Sequence, residues 1–188
     1  GIILYMKFVR AISGYNHLWA VRDEAKDADE LTLLFRNWSN ANYLLDFFLD
    51  NLNDLQGFFR VEKISDAIKD TMEDARVLER LILDFPYTEN LDGLFHPLSL
   101  SDNRIHELTR EKARNWDRER HASWLRIYAI RVEPNVYIVT GGTIKLTATM
   151  QDREHTQIEL DKLNTCRNYL QQNGIFDKES FVDFFEED

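Results

Sequence analysis

Residues 124–170 read WLRIYAIRVEPNVYIVTGGTIKLTATMQDREHTQIELDKLNTCRNYL, and two hydrophobic periods follow one another within them. WLRIYAIRV is rich in β-branched and aromatic residues, and its alternation sets Leu125, Ile127 and Ala129 on one face and Arg126 and Tyr128 on the other. That second face is expected to present its chemistry outward. Glu133-Pro134-Asn135 is a turn, because proline fixes φ and asparagine tolerates tight-turn geometry, and Val136 to Thr140 is a second strand. Gly141-Gly142 then marks either a bulge or a two-residue turn into a third strand over residues 143–147, and the choice decides where Lys145 points. Beyond Met150 the period becomes 3.6. Leu160, Leu163, Cys166 and Leu170 form one stripe, Glu159, Asp161 and Lys162 are expected outside it, and Gly174 closes the helix.

Working outward, residues 3–12 and 17–22 read as a hairpin around Ser13-Gly14-Tyr15-Asn16. Helices are expected over 27–36, over 41–51 with Ser39 or Asn40 as N-cap, and over 61–83, where apolar residues recur at steps of three and four. Gly57 punctuates the chain before the last of these, and Phe85-Pro86 ends it. Residues 91–98 read as a loop that packs Leu94 and Phe95 inward. Residues 99–123 carry the basic cluster Arg104, Arg110, Lys112, Arg114, Arg118 and Arg120, with His121 behind it, on either a surface helix or a loop. Acids lie among these cations, so surface ion pairs are as natural a reading as an anion site. The tail 175–188 mixes phenylalanines with acids and is expected to dock on the body or on a partner.

With 188 residues, 44% of them hydrophobic, the chain can bury a real core as one domain. Its expected parts are a helical elaboration over about 27–85, a sheet and helix core over about 124–173, and the acidic aromatic tail. The single cysteine, Cys166, excludes an internal disulfide, and no secretory signal is legible, which suggests a cytoplasmic setting. No stretch approaches the roughly 20 apolar residues that span a bilayer. The formal net charge of -10 opposes nucleic-acid binding as a uniform property, but it is unevenly spread. Lys plus Arg against Asp plus Glu stands at 10 to 17 over residues 1–98, 12 to 10 over 99–170, and 1 to 6 over 171–188.

No phosphate-cradling glycine loop is present, and His17, His96, His106, His121 and His155 show no metal-binding spacing, so neither a nucleotide cofactor nor a metal is expected. Cys166 lies on an apolar stripe and reads as a buried thiol. There remain arginine, lysine, histidine and tyrosine. Such a set can cleave RNA without metal: one group takes the 2′-hydroxyl proton, cations stabilise the phosphorane, and another group protonates the leaving oxygen.

The order of an arginine-bearing strand (LRIY), a strand ending in glycine and lysine (VYIVTGGTIKLT) and a charged helix (EHTQIELDKLNTCRNYL) resembles the C-terminal half of the RelE/HigB-like toxins, phage-derived branch, of bacterial toxin–antitoxin systems. The resemblance covers residues 124–170. It implies a RelE-like core and a metal-free endoribonuclease, an mRNA interferase that often acts on the ribosome and is neutralised by a cognate antitoxin, for which a helix-turn-helix protein is one form. Carried over by position, Arg126 stabilises phosphate charge and Lys145 matches the terminal lysine; Tyr128 stacks a base or shares a proton, and His121 with Arg114, Arg118 and Arg120 completes the candidate catalytic and RNA-binding set. The chain departs from the family in having Ile144-Lys145 where many members have two lysines, in its acidity, and in the long segment before the match. The expectation is therefore an α+β fold, with a small antiparallel sheet formed by the N-terminal hairpin and the strands of 124–148 packed against several helices. A non-catalytic module that binds protein or nucleic acid through the same face is the alternative function.

Overall fold

The structure, a computed structural model, describes residues 6–58, 63–84, 90–99, 102–108, 123–146 and 154–186. The chain is α+β, with a six-stranded, mostly antiparallel sheet between two helical layers. The N-terminal hairpin pairs β1 (Lys7–Arg10) with β2 (Leu18–Arg22), and Gly14 supplies the positive φ, 75°, that its turn needs. Four helices follow: α1 (Glu30–Trp38), α2 (Ala41–Asp50), α3 (Leu52–Phe58) and α4 (Ile64–Asp84). Asp29 caps α1 by accepting the Thr32 N–H, and Asn40, one of the two expected caps, accepts from the Asn42 and Tyr43 amides at the start of α2. Gly57 lies inside α3 and does not punctuate the chain there.

Two further corrections concern the middle of the chain. Residues 91–98, expected as a loop, hold a 3-10 turn at Leu91–Gly93 and β3 (His96–Ser99), although Leu94 and Phe95 are indeed buried. Pro97 is tolerated because β3 is an edge strand, where one side of the backbone needs no ladder partner. Within 99–123, Asp102–Leu108 is a strand, β4, where a helix or loop was expected. Its charges hid a short alternation in which Ile105 faces the core. Arg110, Lys112, Arg114, Arg118, Arg120 and His121 lie outside the described residues.

Then come β5 (Leu125–Glu133), β6 (Val136–Ile144), α5 (Glu154–Gln172) and α6 (Lys178–Glu186). The sheet order is β1-β2-β6-β5-β4-β3, and all neighbours are antiparallel except β2 and β6, which run parallel. The hairpin therefore joins the central strands as a parallel partner, which no local periodicity could announce. Gly174, at φ 68°, ends α5, and the Ile175 N–H returns to the Leu170 carbonyl.

One face of the sheet packs Trp124, Leu125, Ile127 and Val139 against Leu44, Phe48, Leu78 and Ile82 of the first helical layer. The helices of the N-terminal elaboration share this core with the sheet. Trp124 anchors it: its indole N–H donates to Thr71 Oγ1 at 2.7 Å, and that hydroxyl donates to the Ala67 carbonyl. The other face packs Tyr128, Ile130 and Ile138 against Leu163, Cys166 and Leu170 of α5 and Phe181 of α6. Phe181 is buried while Phe176 stays exposed, so the tail docks on the body through one of these two rings.

Candidate functional site

The question left open at Gly141-Gly142 is answered by the β5–β6 register. Tyr128 pairs with Gly141 but Ala129 pairs with Val139, so Thr140 is an extra residue in a bulge and β6 runs on without a third strand. An extra residue exchanges the two faces for everything beyond it. Val136 and Ile138 face α5, yet beyond the bulge it is Gly141 that faces α5, while Gly142 and Ile144 face the first helical layer. Arg126 pairs with Thr143, and the Lys145 N–H donates to the Trp124 carbonyl at 2.7 Å, continuing the ladder. Alternation then sets Lys145 between the core residues Ile144 and Leu146 and on the same face as Arg126 and Tyr128. Without the bulge it would point into the apolar core.

That face is not open, which corrects the expectation of an outward-facing strand surface. Helix α5 lies across it, and Tyr128 is wholly buried, so no base can stack on its ring here. Burial, with Glu107 adding to it, pushes the Tyr128 phenol far above its ordinary value, which keeps the hydroxyl protonated. Arg126 is half-buried at the sheet end, where its Nη1 donates to the carbonyls of Ser123 at 2.6 Å and Leu125 at 2.9 Å.

Two groups were missed in the sequence. His155, in the first turn of α5, donates from Nε2 to the Ile144 carbonyl at 3.0 Å, and the Phe47 ring meets it edge-on at 5.1 Å. A carbonyl can only accept, so Nε2 carries the proton and Nδ1 is the basic nitrogen of the neutral ring. Leu125 and Ile144 are partners in the ladder. Because the Lys145 N–H bonds the Trp124 carbonyl, Leu125 and Ile144 are a non-hydrogen-bonded pair whose carbonyls point away from each other, so the Arg126 guanidinium and the His155 imidazole are held on opposite sides of the strand pair.

Glu159 and Lys162 are the second surprise, expected outside the apolar stripe yet facing the sheet. The Glu159 carboxylate lies directly over Gly141, where any Cβ would collide with it. Lys162 Nζ reaches Glu159 at 3.0 Å and Glu30 of α1 at 3.4 Å, and Lys26 holds the other oxygen of Glu30 at 2.9 Å. Burial pushes the Glu159 carboxyl above the usual range, with Lys162 opposing the shift. Burial alone would lower Lys162, but Glu159 and Glu30 outweigh it and hold the ammonium above its ordinary value. The missed signal was spacing: 155, 159, 162 and 166 continue one helical stripe, so the polar residues share the face of Cys166. The Cys166 thiol itself is buried and pushed up to about 12, which makes it inert at neutral pH.

Among the described residues no group of three or more His, Cys, Asp or Glu side chains is arranged to hold a metal ion, and no helix is long and apolar enough to cross a membrane. No protein-family model matches the chain, nor does any curated protein or solved structure.

Proposed function

We propose that the chain is a RelE/HigB-like toxin homologue that cleaves messenger RNA without a metal. The observation that carries this reading is the shared face of Arg126 and Lys145 at the sheet end, which the bulge at Thr140 creates. An arginine and a lysine on one face supply cations that stabilise the extra charge of the phosphorane. A general base takes the 2′-hydroxyl proton and a general acid protonates the leaving 5′ oxygen, and His121 is the candidate for one of these two transfers. The ribosome as the place of action, a neutralising antitoxin and a cytoplasmic setting belong to the same reading.

The test is cleavage of messenger RNA by the purified chain in excess chelator, with and without ribosomes, beside the Arg126→Ala, Lys145→Ala double variant and His121→Ala. Fragments ending in a 2′,3′-cyclic phosphate, lost by roughly 100-fold or more in the variants, support the enzyme. RNA left intact by the native chain under both conditions sinks it. The enclosure of Tyr128 beneath α5 favours the second reading, a non-catalytic module that binds protein or nucleic acid. Retained RNA binding with no cleavage, weakened by the double variant, is its signature.

A further inference from the structure

Helix α2 buries one side and leaves an apolar ridge on the other. Leu44 and Phe48 enter the core, while one step round the helix Leu45 and Leu49 stay 39% and 52% exposed. Residues four apart lie one above the other on a helix surface, so these two leucines are neighbours. Leu49 also lines, with Leu52, a groove of about 420 Å³ where α2 meets α3. The ridge and the groove present apolar surface that the chain's own core does not use.

The charges beside this surface are of one sign. Asp46 and Asp50 follow the two leucines along α2, Asp50 and Asp54 line the groove with Asn51 and Asn53, and no lysine or arginine occurs between Arg36 and Arg60. Among the described residues no cation pairs with Asp46 or Asp50, whereas at the sheet edge Asp27 is paired with Arg36 and Glu30 with Lys26 and Lys162. Asp54, in the first turn of α3, is favoured by that helix's positive end. Asp50 is not: it is the last residue of α2, whose last turn holds no basic residue, and a helix C-terminus already carries partial negative charge. That position calls for a cation from outside the chain.

Charge also selects among occupants. The aspartates repel RNA and anionic lipid. A second copy related by a two-fold axis would set them against their own images. A cationic segment with an apolar stripe meets both the leucines and the acids, and a helix carries such a stripe at the spacing of Leu45 and Leu49.

We propose that α2 and the groove it forms with α3 dock a basic amphipathic helix of a partner protein. Aliphatic side chains of that helix pack on Leu45 and Leu49, and an arginine or lysine beside them enters the groove at Asp50, next to the negative end of α2. The surface stands whether or not the chain cleaves RNA.

The probe is a fluorescein-labelled peptide of about 14 leucines and lysines, long enough to form a helix, with its leucines at steps of three and four. Its anisotropy is followed as the full chain is added at about 0.15 M salt, beside a peptide of the same composition in scrambled order and one with glutamate in place of lysine. The patterned basic peptide is expected to bind saturably, and both references about tenfold or more weaker. The pair Leu45→Ala, Leu49→Ala and the pair Asp46→Asn, Asp50→Asn each weaken it by about fivefold or more. All four positions are exposed, and circular dichroism checks the fold; Leu49→Ala alone shows the same direction if the leucine pair unfolds. Asp161→Asn with Glu179→Gln, which removes the same charge from exposed positions on α5 and α6, leaves binding unchanged.

Equal binding by the scrambled peptide reduces the effect to a general attraction of cations to an acidic chain and overturns the proposal. So does undiminished binding by either folded α2 pair, or an equal loss in the Asp161, Glu179 pair. No saturable binding with the chain at roughly 100 μM overturns it as well. Dimerisation of the chain that the leucine pair abolishes, seen by sedimentation, gives the ridge to a second copy and has the same result.

Discussion

On the face covered by α1, α2 and α4, the buried polar atoms of Trp124 and Thr71 are satisfied within a chain that ends on a helical carbonyl. On the face covered by α5, Tyr128 OH, Glu107 Oε2 and Glu159 Oε2 are buried with no partner among the described residues. Both faces bury aromatic side chains in the same helix-on-sheet arrangement. The first face also buries His106 Nδ1 and Arg131 Nε, but these lie together around Tyr137, with Arg131 Nε 3.3 Å from Asp92. The unmet atoms beneath α5 lie around Tyr128 and Gly141, and the difference teaches where on each face an unmet polar atom costs stability.

Trp124→Ala is the harshest way to probe the apolar face. It empties a fully buried indole site stacked edge-on against Phe48 and leaves Thr71 without its donor, so unfolding in urea should show a loss of about 3–5 kcal/mol. A loss below about 1 kcal/mol would mean that this face is not the stability core.

A pair of tyrosines sharpens the contrast. The Tyr137 hydroxyl donates to Asp92 Oδ1 at 2.6 Å, so Tyr137→Phe should cost about 1 kcal/mol. Tyr128→Phe removes a hydroxyl with no partner among the described residues and should be neutral or stabilising by less than about 1 kcal/mol. Equal losses in the two variants would erase the distinction between the faces.

Titration separates them more gently, because the two carboxyls shift in opposite directions. Burial works to raise Asp92, but the bonds from Tyr137 and Asn135 and the Arg131 cation outweigh it and hold the carboxyl below its ordinary range. Its contribution is present above the unfolded carboxylate value and is lost as pH falls through the lower folded value. Glu159 is raised, so its contribution is complete at acid pH and is lost as pH rises through the folded value. Native stability relative to Asp92→Asn should therefore fall on acidification below about pH 4, whereas relative to Glu159→Gln it should fall as pH rises above the ordinary carboxylate range. Denaturant midpoints across pH check both signs, and parallel curves for Glu159→Gln and the native chain would show that the carboxyl over Gly141 is not buried in solution.

Legibility in the sequence followed the range of the interaction that settles each feature. Asn40 as a cap, Gly174 as a helix end and the hairpin turn around Gly14 were readable because each depends on a few neighbouring residues. β4 was missed because its charged residues masked the short alternation around Ile105, and β3 because Pro97 argues against a strand unless its edge position is known. For the candidate site, Arg126 and Lys145 were visible as residue types, but their meeting on one face required the bulge at Thr140. His155, Glu159 and Lys162 were legible as one helical stripe with Cys166, but the room that lets Glu159 face the sheet, over Gly141, was shown only by the structure.

By itself, then, the sequence determined the α+β class, the β5–β6 hairpin with α5 behind it and most of the helices, because periodicity and capping act within a turn or two of chain. The parallel docking of β2 on β6, the covering of Tyr128 and the joining of Glu30 to Lys162 across the sheet edge were decided only by tertiary structure. They bring together residues far apart in the chain, and at that separation local spacing carries no information about which elements will meet.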